Sequence, residues 1–265
     1  MTEKQDAPQI FELDYYQRLH DIEEQHGWAQ GLRDAMDALL HPAINGKSLR
    51  VLDIGCGTGY LMRYLQKYPL DGEVVGIDIS SYALQFCRQR GANSLAIASA
   101  TEVPFASSSY DLIICIDTIQ HLTPAGADLV AIKEFARLLR PGGLLYLRTN
   151  SARGHRPLEG VDPNQYRRYL IPELKNMIAQ AGMKTERATY LNAIPGFWAM
   201  LREYAQARRK VRAIGPGLSI QVHPPERAWL NQAIYRVLAF ESWLIGKARL
   251  DLPFGHSIAV LARKD

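Results

Sequence analysis

The chain has 265 residues, 47% of them hydrophobic and 22% charged, which is enough length and apolar content for a folded domain with its own core. Its three cysteines include no CxxC pair, which argues against a disulfide framework and favours a reducing, cytoplasmic location. No run of eighteen apolar residues occurs and the first residues lack the apolar stretch of a signal peptide, so we expect neither a transmembrane helix nor secretion.

The N-terminal part of the chain has the periodicity of helices. Between residues 10 and 40, apolar side chains recur at helical spacing, with a break near Gly27. This pattern predicts two helices. We expect the second to end at His41-Pro42, because proline disfavours helical backbone at the residue before it.

Strand and helix patterns alternate after residue 46. Apolar runs predict strands, and helices are predicted between them. One helix is predicted to be capped by Thr123, with Pro124 at its first position, and to run to Leu139 ahead of a turn at Pro141-Gly-Gly143. Repeated strand–helix–strand units with short turns predict an α/β fold with a doubly wound, Rossmann-like, mostly parallel seven-stranded sheet. The predicted strands are 48–54, 73–78, 94–98, 110–117, 144–149, 184–191 and 257–262.

A glycine-rich turn, Gly55-Cys-Gly-Thr-Gly59, lies between the first predicted strand and the helix after it. Glycines let the backbone adopt positive φ and let a ligand approach closely, and the start of a helix offers unpaired N–H groups. Asp78 ends the second strand nineteen residues after Gly59, close to the spacing of a carboxylate that binds ribose hydroxyls. The pattern favours a nucleotide site over a purely structural turn.

Two residues distinguish between the nucleotides that such a turn binds. A dinucleotide turn has the spacing GxGxxG, and Tyr60 occupies the position of its third glycine. Asp53, two residues before the first glycine, suits an ammonium group and opposes a pyrophosphate. Both features favour S-adenosyl-L-methionine, which carries an α-amino group and a sulfonium but no phosphate.

The motifs LDIGCGTGY, VVGIDIS, ATEVPFASSSYDLIICIDTIQHL and LLRPGGLLYL, within residues 48–149, resemble the successive motifs of class I S-adenosylmethionine-dependent methyltransferases of the type 11 group. The resemblance implies that the methionine end of the cofactor lies on the glycine turn, that Asp78 holds the ribose and that Ile79 flanks the adenine. Relatives often have an aspartate where this chain has Ser99, whose hydroxyl is a weaker acceptor. The implied cofactor contacts on the turn and beside the adenine are Gly55, Cys56, Gly57 and Gly59, then Ser99, Ala100 and Thr101.

The leader of the chain, Tyr15-Tyr16 to Arg33, is similar to a methyltransferase subset with the pattern Y…EExHWWFxGRR. The similarity implies that residues 1–45 form an N-terminal helical lid. In such a lid Tyr16 and Trp28 would face the sulfonium, and Arg33 would pair with the cofactor carboxylate. The alternative is an amphipathic helix with core aromatics and a solvated arginine. Gln165-Tyr-Arg-Arg-Tyr169 also resembles this subset and is a candidate contact for an anionic acceptor.

Candidate catalytic residues follow the fourth and fifth predicted strands, where a doubly wound sheet binds its ligands. His121 is the candidate general base, because histidine titrates near neutrality, and the alternative is that it braces the site. Asp117 is a second catalytic candidate and could instead position the cofactor or a loop, and His155 is a weaker third. The histidines and carboxylates show no metal-ligand spacing, so no metal is expected.

Residues 195–250 separate the last two predicted strands and carry nine Lys or Arg and three Asp or Glu, a local charge of +6. Three of the four tryptophans lie there. We predict a helical insertion that caps the acceptor site of a core formed by residues 46–194, with residues 251–265 as the last core strand. Peripheral membrane contact and a homodimer surface are the alternatives for its apolar face.

These features predict an enzyme that methylates a small lipophilic or aromatic metabolite, most simply on oxygen. The alternatives are a methyltransferase acting on RNA or protein, which the basic insertion permits, and a non-catalytic protein that binds the same cofactor. No nucleic acid partner is expected, because no RNA-binding module and no NPPY-type element after the fourth strand is found.

Overall fold

The computed structural model describes residues 12–44, 46–153, 166–208 and 228–265. Helices and strands alternate through most of these residues. In chain order they are α1 (Leu13–Ile22), α2 (Gly27–Ile44), β1 (Val51–Ile54), α3 (Tyr60–Tyr64), β2 (Val75–Asp78), α4 (Ser81–Gln89), β3 (Leu95–Ile97), β4 (Tyr110–Ile116), α5 (Ala127–Leu138), β5 (Leu139–Asn150), α6 (Ile171–Gln180), β6 (Met183–Leu191), α7 (Ala193–Arg208), α8 (Ala228–Gly246) and β7 (Ser257–Lys264).

The strands form one seven-stranded sheet in the order β3-β2-β1-β4-β5-β7-β6. All neighbours pair in parallel except β7, which is antiparallel to both β5 and β6. Every residue of β1 is buried, and β4 and β5 are buried over most of their length, as expected for strands covered by helices on both faces. The predicted doubly wound, mostly parallel sheet is therefore confirmed, with a helical leader and a helical insertion before the last strand.

The strand order reverses at β1, which lies between β2 on one side and β4 on the other. The ends of these three strands are level, because Ile54 pairs with Ile77 of β2 and with Cys115 of β4. Open α/β sheets bind their ligands beyond the carboxyl ends of the strands at such a reversal. The fold thus brings the glycine turn, Asp78 and the residues after β4 to one edge.

Two predicted helix ends are wrong. Helix α2 continues through Pro42 to Ile44, because the burial of Leu39, Leu40 and Ile44 offsets the one backbone hydrogen bond that proline cannot donate. Helix α5 begins at Ala127, and its N-terminal flank is Gly126 in the left-handed region. The predicted cap at Thr123 and Pro124 therefore lies in the loop ahead of the helix.

The turn predicted at Pro141-Gly-Gly143 is an irregularity inside β5. Tyr110 of β4 pairs with Leu139, whereas Leu112 pairs with Leu144, so the register changes across the intervening residues. The extra residues are accommodated as a bulge, and the strand on its far side continues to Asn150.

Helix α8 of the insertion packs closely against α2 of the leader. A Cβ on Gly31 would lie 2.3 Å from Cβ of Leu238, and one on Gly27 would lie 2.1 Å from the carbonyl oxygen of Asn231. The hydroxyl of Ser242 donates to the carbonyl oxygen of Gly31 at 3.2 Å. The leader and the insertion are therefore in direct contact. None of the described helices is long and apolar enough to cross a bilayer.

Candidate active site

The glycine turn that leaves β1 is fixed by the end of β2 and by the residue after β4. The backbone N–H groups of Gly55 and Cys56 both donate to the carbonyl oxygen of Ile77, at 2.8 and 2.9 Å. Gly55 has a φ of 73°, and a Cβ there would lie 2.1 Å from Oγ1 of Thr118. This glycine is required by the close packing of the turn itself.

The other two glycines of the turn, Gly57 and Gly59, differ in the atoms that an added Cβ would meet. A Cβ on Gly59 would lie 2.9 Å from Cα of Cys87 on α4, so that glycine permits the approach of a helix. A Cβ on Gly57 would meet only the Leu19 side chain of α1, at 3.7 Å. Gly57 is thus the glycine of the turn with space for a ligand between it and the leader.

Asp78 is buried at the end of β2 and accepts several hydrogen bonds. The N–H of Gly57 donates to Oδ2 at 3.0 Å and the N–H of Ser80 to Oδ1 at 2.9 Å. The hydroxyl of Tyr16 lies 3.4 Å from Oδ1. Burial raises the pKa of this carboxyl, and the hydrogen bonds oppose that rise.

Asp53 is the most deeply buried carboxyl group at this edge, with 2% of its surface exposed. Within the part of the chain that the structure describes, its Oδ2 has no hydrogen-bond partner. Burial, and then the negative charges of Asp78 and Glu23, raise the pKa of Asp53 to about 8. An ammonium group beside Oδ2 would satisfy this oxygen and favour the carboxylate.

Glu23 holds the end of α1 over the glycine turn. Its carboxylate accepts a hydrogen bond from the hydroxyl of Thr58. It also forms an ion pair with Arg90, in which Nη2 lies 2.8 Å from Oε1 of Glu23. Arg90, on the segment that ends α4, also pairs with Glu24 and donates to the carbonyl oxygen of His20 at 3.2 Å. Burial raises the pKa of Glu23 to about 7, and Thr58 and Arg90 oppose that rise.

The leader residues predicted to contact the cofactor lie beside the turn. Nη1 of Arg33 donates to the carbonyl oxygen of Glu23 at 3.0 Å, and its guanidinium group stacks over the ring of Tyr60 at 4.5 Å. Trp28 is half-buried and packs against the core. The pairing of Arg33 with a cofactor carboxylate and the contact of Trp28 with the sulfonium stay predictions.

The predicted adenine side lies beside the ends of β2 and β3. Ile79 is 62% exposed, so its side chain is free to cover a flat ring. The hydroxyl of Ser99 lies 2.7 Å from that of Thr101 and accepts the N–H of Thr101 at 3.2 Å. Ala100 between them is buried. The hydroxyl that stands where relatives have an aspartate is thus already shared within its own turn.

Asp117 follows β4 in a left-handed conformation, with a φ of 53°. Its N–H donates to the carbonyl oxygen of Arg148 on β5 at 2.9 Å. Its carboxylate forms an ion pair with the buried guanidinium group of the same arginine. This ion pair holds the carboxylate of Asp117 against β5.

His121 ends a short 3₁₀ turn four residues after Asp117. Burial lowers the pKa of His121, and the charge of Asp117 opposes this. The side-chain oxygen of Gln120 accepts from the hydroxyl of Thr149 at 2.9 Å and from the N–H of Asn150 at 3.1 Å. Its amide nitrogen therefore faces Nε2 of His121, at 3.3 Å, which makes Nε2 the unprotonated ring nitrogen.

Two tyrosines lie close to these groups. The ring centroid of Tyr166 lies 5.3 Å from that of His121, and its hydroxyl is hydrogen-bonded to the side chain of Asn150. Burial and then the charges of Asp117 and Asp78 raise the pKa of Tyr15 to about 12. The charges of Asp78 and Asp117 thus both act on Tyr15.

In the segment that resembles the RRY element, Arg167 and Tyr169 connect neighbouring parts of the structure. Arg167 forms ion pairs with Asp128 and with Glu173, and the buried hydroxyl of Tyr169 donates to Asp128 at 2.9 Å. These side chains are engaged in joining the segment to α5 and α6. His155 lies outside the described residues, and its catalytic role stays a prediction.

The Methyltransferase domain family model matches residues 52–147, which run from β1 into β5 and contain the glycine turn, Asp78 and His121. This match identifies residues 52–147 as a methyltransferase domain, which resembles those of the class I S-adenosylmethionine-dependent methyltransferases. S-adenosylmethionine is accordingly the cofactor of the domain.

Curated relatives of this chain differ in what their names say they act on. It is 30% identical over 158 residues to a fatty-acid O-methyltransferase of Mycolicibacterium smegmatis, which is 58% of this chain and 50% of that one. It is 40% identical over 99 residues to a tRNA (carboxymethyluridine(34)-5-O)-methyltransferase of Mus musculus, which is 37% of this chain and 14% of that one. The chain thus spans half or less of the length of these relatives.

Solved structures share the fold of this chain at low sequence identity. A SAM-dependent methyltransferase from Archaeoglobus fulgidus aligns with a TM-score of 0.55 at 16% identity, over 89% of this chain and 94% of that one. This likeness covers more of the chain than the family match does.

The residues of this domain fit S-adenosylmethionine on two counts. The unpartnered Oδ2 of Asp53 offers a buried acceptor for an ammonium group, and Gly57 leaves open space above the turn. Among the described residues, no three His, Cys, Asp or Glu side chains are grouped to hold a metal ion.

Sequence reasoning missed Arg148 and Gln120, which organise the acceptor side of the site. Arg148 is a lone charge inside a predicted buried strand, and a buried strand rarely keeps an arginine without a partner. That signal was present in the sequence. Gln120 gave none, because its role depends on Thr149 and Asn150 of a strand about thirty residues away.

Proposed function

We propose that this protein transfers the methyl group of S-adenosylmethionine to an oxygen atom of a small, lipophilic or aromatic metabolite. The observation that carries the proposal is the placement, at one sheet edge, of a buried Asp53 oxygen without a partner and of His121 with a lowered pKa. The first suits the donor and the second suits a hydroxyl acceptor that must lose a proton.

Asp53, Asp78 and Gly57 form the donor side. In the proposed complex, Asp53 binds the α-amino group, and Asp78 accepts from the ribose hydroxyls at the carboxylate that Tyr16 and Ser80 already orient. The backbone of Gly57 approaches the methionine part most closely. Ile79, with Ser99, Ala100 and Thr101, flanks the adenine.

When bound, S-adenosylmethionine supplies an electrophilic methyl group on a sulfonium, which is a good leaving group. The protein therefore acts mainly by holding an acceptor oxygen in line with the methyl–sulfur bond. Tyr15, between Asp78 and Asp117, is placed to contact both reactants. As the new oxygen–carbon bond forms and the carbon–sulfur bond breaks, a hydroxyl acceptor must also release its proton.

His121 is the proposed base, in preference to Asp117. Because its pKa lies below that of an ordinary histidine, its ring is neutral at pH 7, and Nε2 carries the lone pair that accepts the hydrogen bond from Gln120. The hydrogen bond from Gln120 to Nε2 is long at 3.3 Å, so an acceptor hydroxyl can displace it at little cost. Asp117 is held by Arg148 and is proposed to position the site.

The lipophilic class of the acceptor is supported by two observations. The relatives of the chain include the fatty-acid O-methyltransferase and a ubiquinone/menaquinone biosynthesis C-methyltransferase of Neisseria gonorrhoeae. The second of these is 33% identical over 147 residues. Helix α7, which starts directly after β6 at the same sheet edge, carries exposed apolar side chains.

The need for a base depends on the acceptor. A carboxylic acid acceptor is ionised at neutral pH and needs no base, whereas a phenol or an alcohol does.

A tRNA substrate is the second candidate, favoured by the 40% identity to the mouse tRNA enzyme. That match covers 99 residues, about the extent of the family model, so it is explained by the shared donor site. The described residues outside it offer an aromatic surface on α7 and α8, which suits an apolar partner better than a phosphate backbone.

Two measurements test the proposal in sequence. Isothermal titration calorimetry with S-adenosylmethionine and S-adenosylhomocysteine tests donor binding, and a labelled-methyl screen over lipid extracts, phenolic metabolites and total tRNA tests the acceptor. We expect binding of both ligands and label in the organic extracts, in a base-labile ester or a stable ether. Label confined to tRNA would overturn the small-molecule assignment, and binding without transfer to any pool would favour a non-catalytic role.

A further inference from the structure

Helix α8 has large apolar side chains that face away from the core. Trp229, Phe240 and Trp243 are exposed over 65%, 54% and 54% of their surface. With the exposed Arg236 they follow one another at spacings of seven, four and three residues, which places them on one side of the helix. The rings of Phe240 and Trp243 are stacked, with centroids 6.0 Å apart.

The opposite side of α8 is the one that packs on its own domain. Leu238, Ser242 and Ile245 are buried, and Leu238 and Ser242 contact α2 at Gly31. Trp229 and Trp243 of α8 are exposed, because small residues of α2 accept the other side of this helix. The aromatic side of α8 therefore has no partner among the described residues.

Helix α7 has a second apolar side. Its exposed large residues recur at spacings of three or four, as on one side of a helix, and they are Ile194, Phe197, Trp198, Leu201 and Tyr204. The start of α7 is tied to the middle of α8, because the N–H groups of Ala193 and Ile194 donate to the carboxylate of Glu241 at 3.1 and 2.9 Å. The two apolar sides thus belong to the same part of the molecule.

The exposed charges on α8 and directly after it have one sign. Glu241 is the only acidic residue of α8, and it is buried and committed to the start of α7. Arg236 is exposed among the aromatic residues, and exposed Lys247 follows at the end of the helix. Aromatic side chains interspersed with basic ones, with no exposed carboxylate within α8 itself, suit the interface of an anionic lipid bilayer.

The position in the fold relates this surface to the site. Strand β6 ends at Leu191, which pairs with Ser257, and Ser257 pairs with Asn150 at the end of β5. Helix α7 therefore leaves the sheet at the edge where Asn150 approaches Gln120 and Tyr166. A surface bound through α7 would lie near the mouth of the acceptor site.

We propose that the exposed sides of α7 and α8, here called the insertion surface, dock on an anionic lipid bilayer. The aromatic side chains enter the interfacial region, and Arg236 and Lys247 lie against the lipid headgroups. Docking itself is independent of methyl transfer. The consequence that the acceptor reaches the site from the bilayer rests on the proposed function.

Vesicle flotation of the full chain tests the docking. We expect binding to vesicles of phosphatidylcholine with about 30% phosphatidylglycerol, weakening but persisting as salt rises, since the basic side chains are screened and the aromatic ones are not. Pure phosphatidylcholine vesicles should bind at least about tenfold more weakly. Equal recovery on both kinds of vesicle, or none on either, overturns the proposal.

Variants locate the binding on the insertion surface. The double variant Phe240→Ser/Trp243→Ser should lose at least about tenfold in vesicle affinity, because it removes two apolar anchors. Arg236→Glu should lose about tenfold on anionic vesicles and little on neutral ones. Val130→Ser and Lys133→Glu, exposed positions on α5, are the matched controls and should bind as the unaltered chain does. Equal losses in the controls would overturn the assignment.

Two other occupants of this surface predict different results. If a second copy covers it, the chain without lipid sediments as a dimer, and Phe240→Ser/Trp243→Ser makes it a monomer. If a part of residues 209–227 covers it, the protein is a monomer and tryptophan fluorescence does not respond to vesicles. Either result overturns lipid docking.

Calorimetry with S-adenosylmethionine separates this inference from the proposed function. The double variant should bind the cofactor with unaltered affinity, since its residues lie outside the donor site. Vesicle binding without methylation of any lipid supports the docking and counts against the lipophilic acceptor, whereas methylation of a lipophilic acceptor with no vesicle binding does the reverse.

Discussion

Asp53 combines deep burial, an oxygen without a partner in the described structure and a pKa raised to about 8. An ammonium group at Oδ2 requires the carboxylate, so cofactor binding should release a proton and strengthen as pH rises from about 6 towards 8. Asp53→Asn should weaken S-adenosylmethionine binding by roughly 10- to 100-fold, the value of a charged hydrogen bond, and abolish most of this pH dependence. Calorimetry at several pH values measures both effects.

Glu23 also has a raised pKa, about 7, and its negative charge contributes to the raised pKa of Asp53. Glu23→Gln is therefore the control for the pH dependence.

The Asp53→Asn substitution should also change the pH dependence of stability. Between about pH 4, where an unfolded aspartate titrates, and pH 8, folded Asp53 holds a proton that the unfolded chain has released, so its contribution to the unfolding free energy falls as pH rises. Asp53→Asn should therefore gain stability over the unaltered chain across this window. A pH-independent difference would contradict the assignment.

Gln120 and His121 give a prediction that a merely structural histidine would not. If neutral His121 accepts the proton of a hydroxyl acceptor, turnover falls on the acid side as pH drops through a pKa below the usual value of about 6.5. Gln120→Glu keeps the acceptor oxygen for Thr149 and Asn150 and places a negative charge beside Nε2. The acid limb of the kcat profile should then move to higher pH by roughly one unit or more.

The control for this shift is His121→Gln, which should lower turnover at every pH and lose the acid limb, with cofactor affinity unchanged. An acid limb at the same pH in Gln120→Glu and the unaltered chain would remove His121 as the base. A flat profile in all three proteins, with normal rates, would identify an acceptor that is already ionised, such as a carboxylate.

At the scale of elements, the contact between α2 and α8 depends on glycine. In an exposed helix, Gly→Ala stabilises by about 1 kcal/mol, because alanine loses less backbone entropy. At Gly31 the added methyl group would lie 2.3 Å from Cβ of Leu238, so Gly31→Ala should instead destabilise by ~2 kcal/mol and lower Tm by roughly 4–8 °C. Thermal unfolding followed by circular dichroism measures the change.

Leu238→Ala tests whether the clash is the cause. That substitution alone should cost ~2–4 kcal/mol by leaving a cavity, and in the double variant the new methyl group should fill part of it. We expect the double variant to be at least ~1 kcal/mol more stable than the sum of the single changes. A Tm raised by Gly31→Ala would mean that the two helices do not approach this closely.

The elements that local sequence determines were predictable. Apolar runs gave the strands of the sheet, and the spacing of the glycine turn and Asp78 gave the donor side. The start of α5 and the end of α2 were not, because burial of Leu39 and Leu40 outweighs the local effect of Pro42. Contacts such as Arg148 with Asp117 join residues about thirty positions apart; the lone arginine in a buried strand indicates that it has a partner, but no local pattern identifies which residue that partner is.

At the scale of the whole molecule, the leader, the core and the insertion form one continuous set of contacts. α1 lies on the glycine turn and α4, α2 follows it, and α8 packs on α2. The donor site thus lies beneath a helix whose own position depends on distant parts of the chain. Arg90 is the main polar link, since its nearly buried guanidinium group holds Glu23, Glu24 and the carbonyl oxygen of His20.

Arg90→Gln should therefore loosen α1 without unfolding the sheet. It leaves Glu23 buried with Thr58 as its remaining polar partner, and removing one member of a buried ion pair costs ~3–5 kcal/mol where no relaxation occurs. We expect part of this cost to be relieved by detachment of α1, which lowers the population of the binding-competent state and weakens S-adenosylmethionine at least about tenfold. Hydrogen exchange should become faster in α1 and stay unchanged in β1 and β4.

Arg63→Gln is the matched control, because Arg63 is exposed and reaches the same Glu24 at 3.7 Å. If both substitutions affected cofactor binding equally, the link through Arg90 would not be what holds the leader over the site.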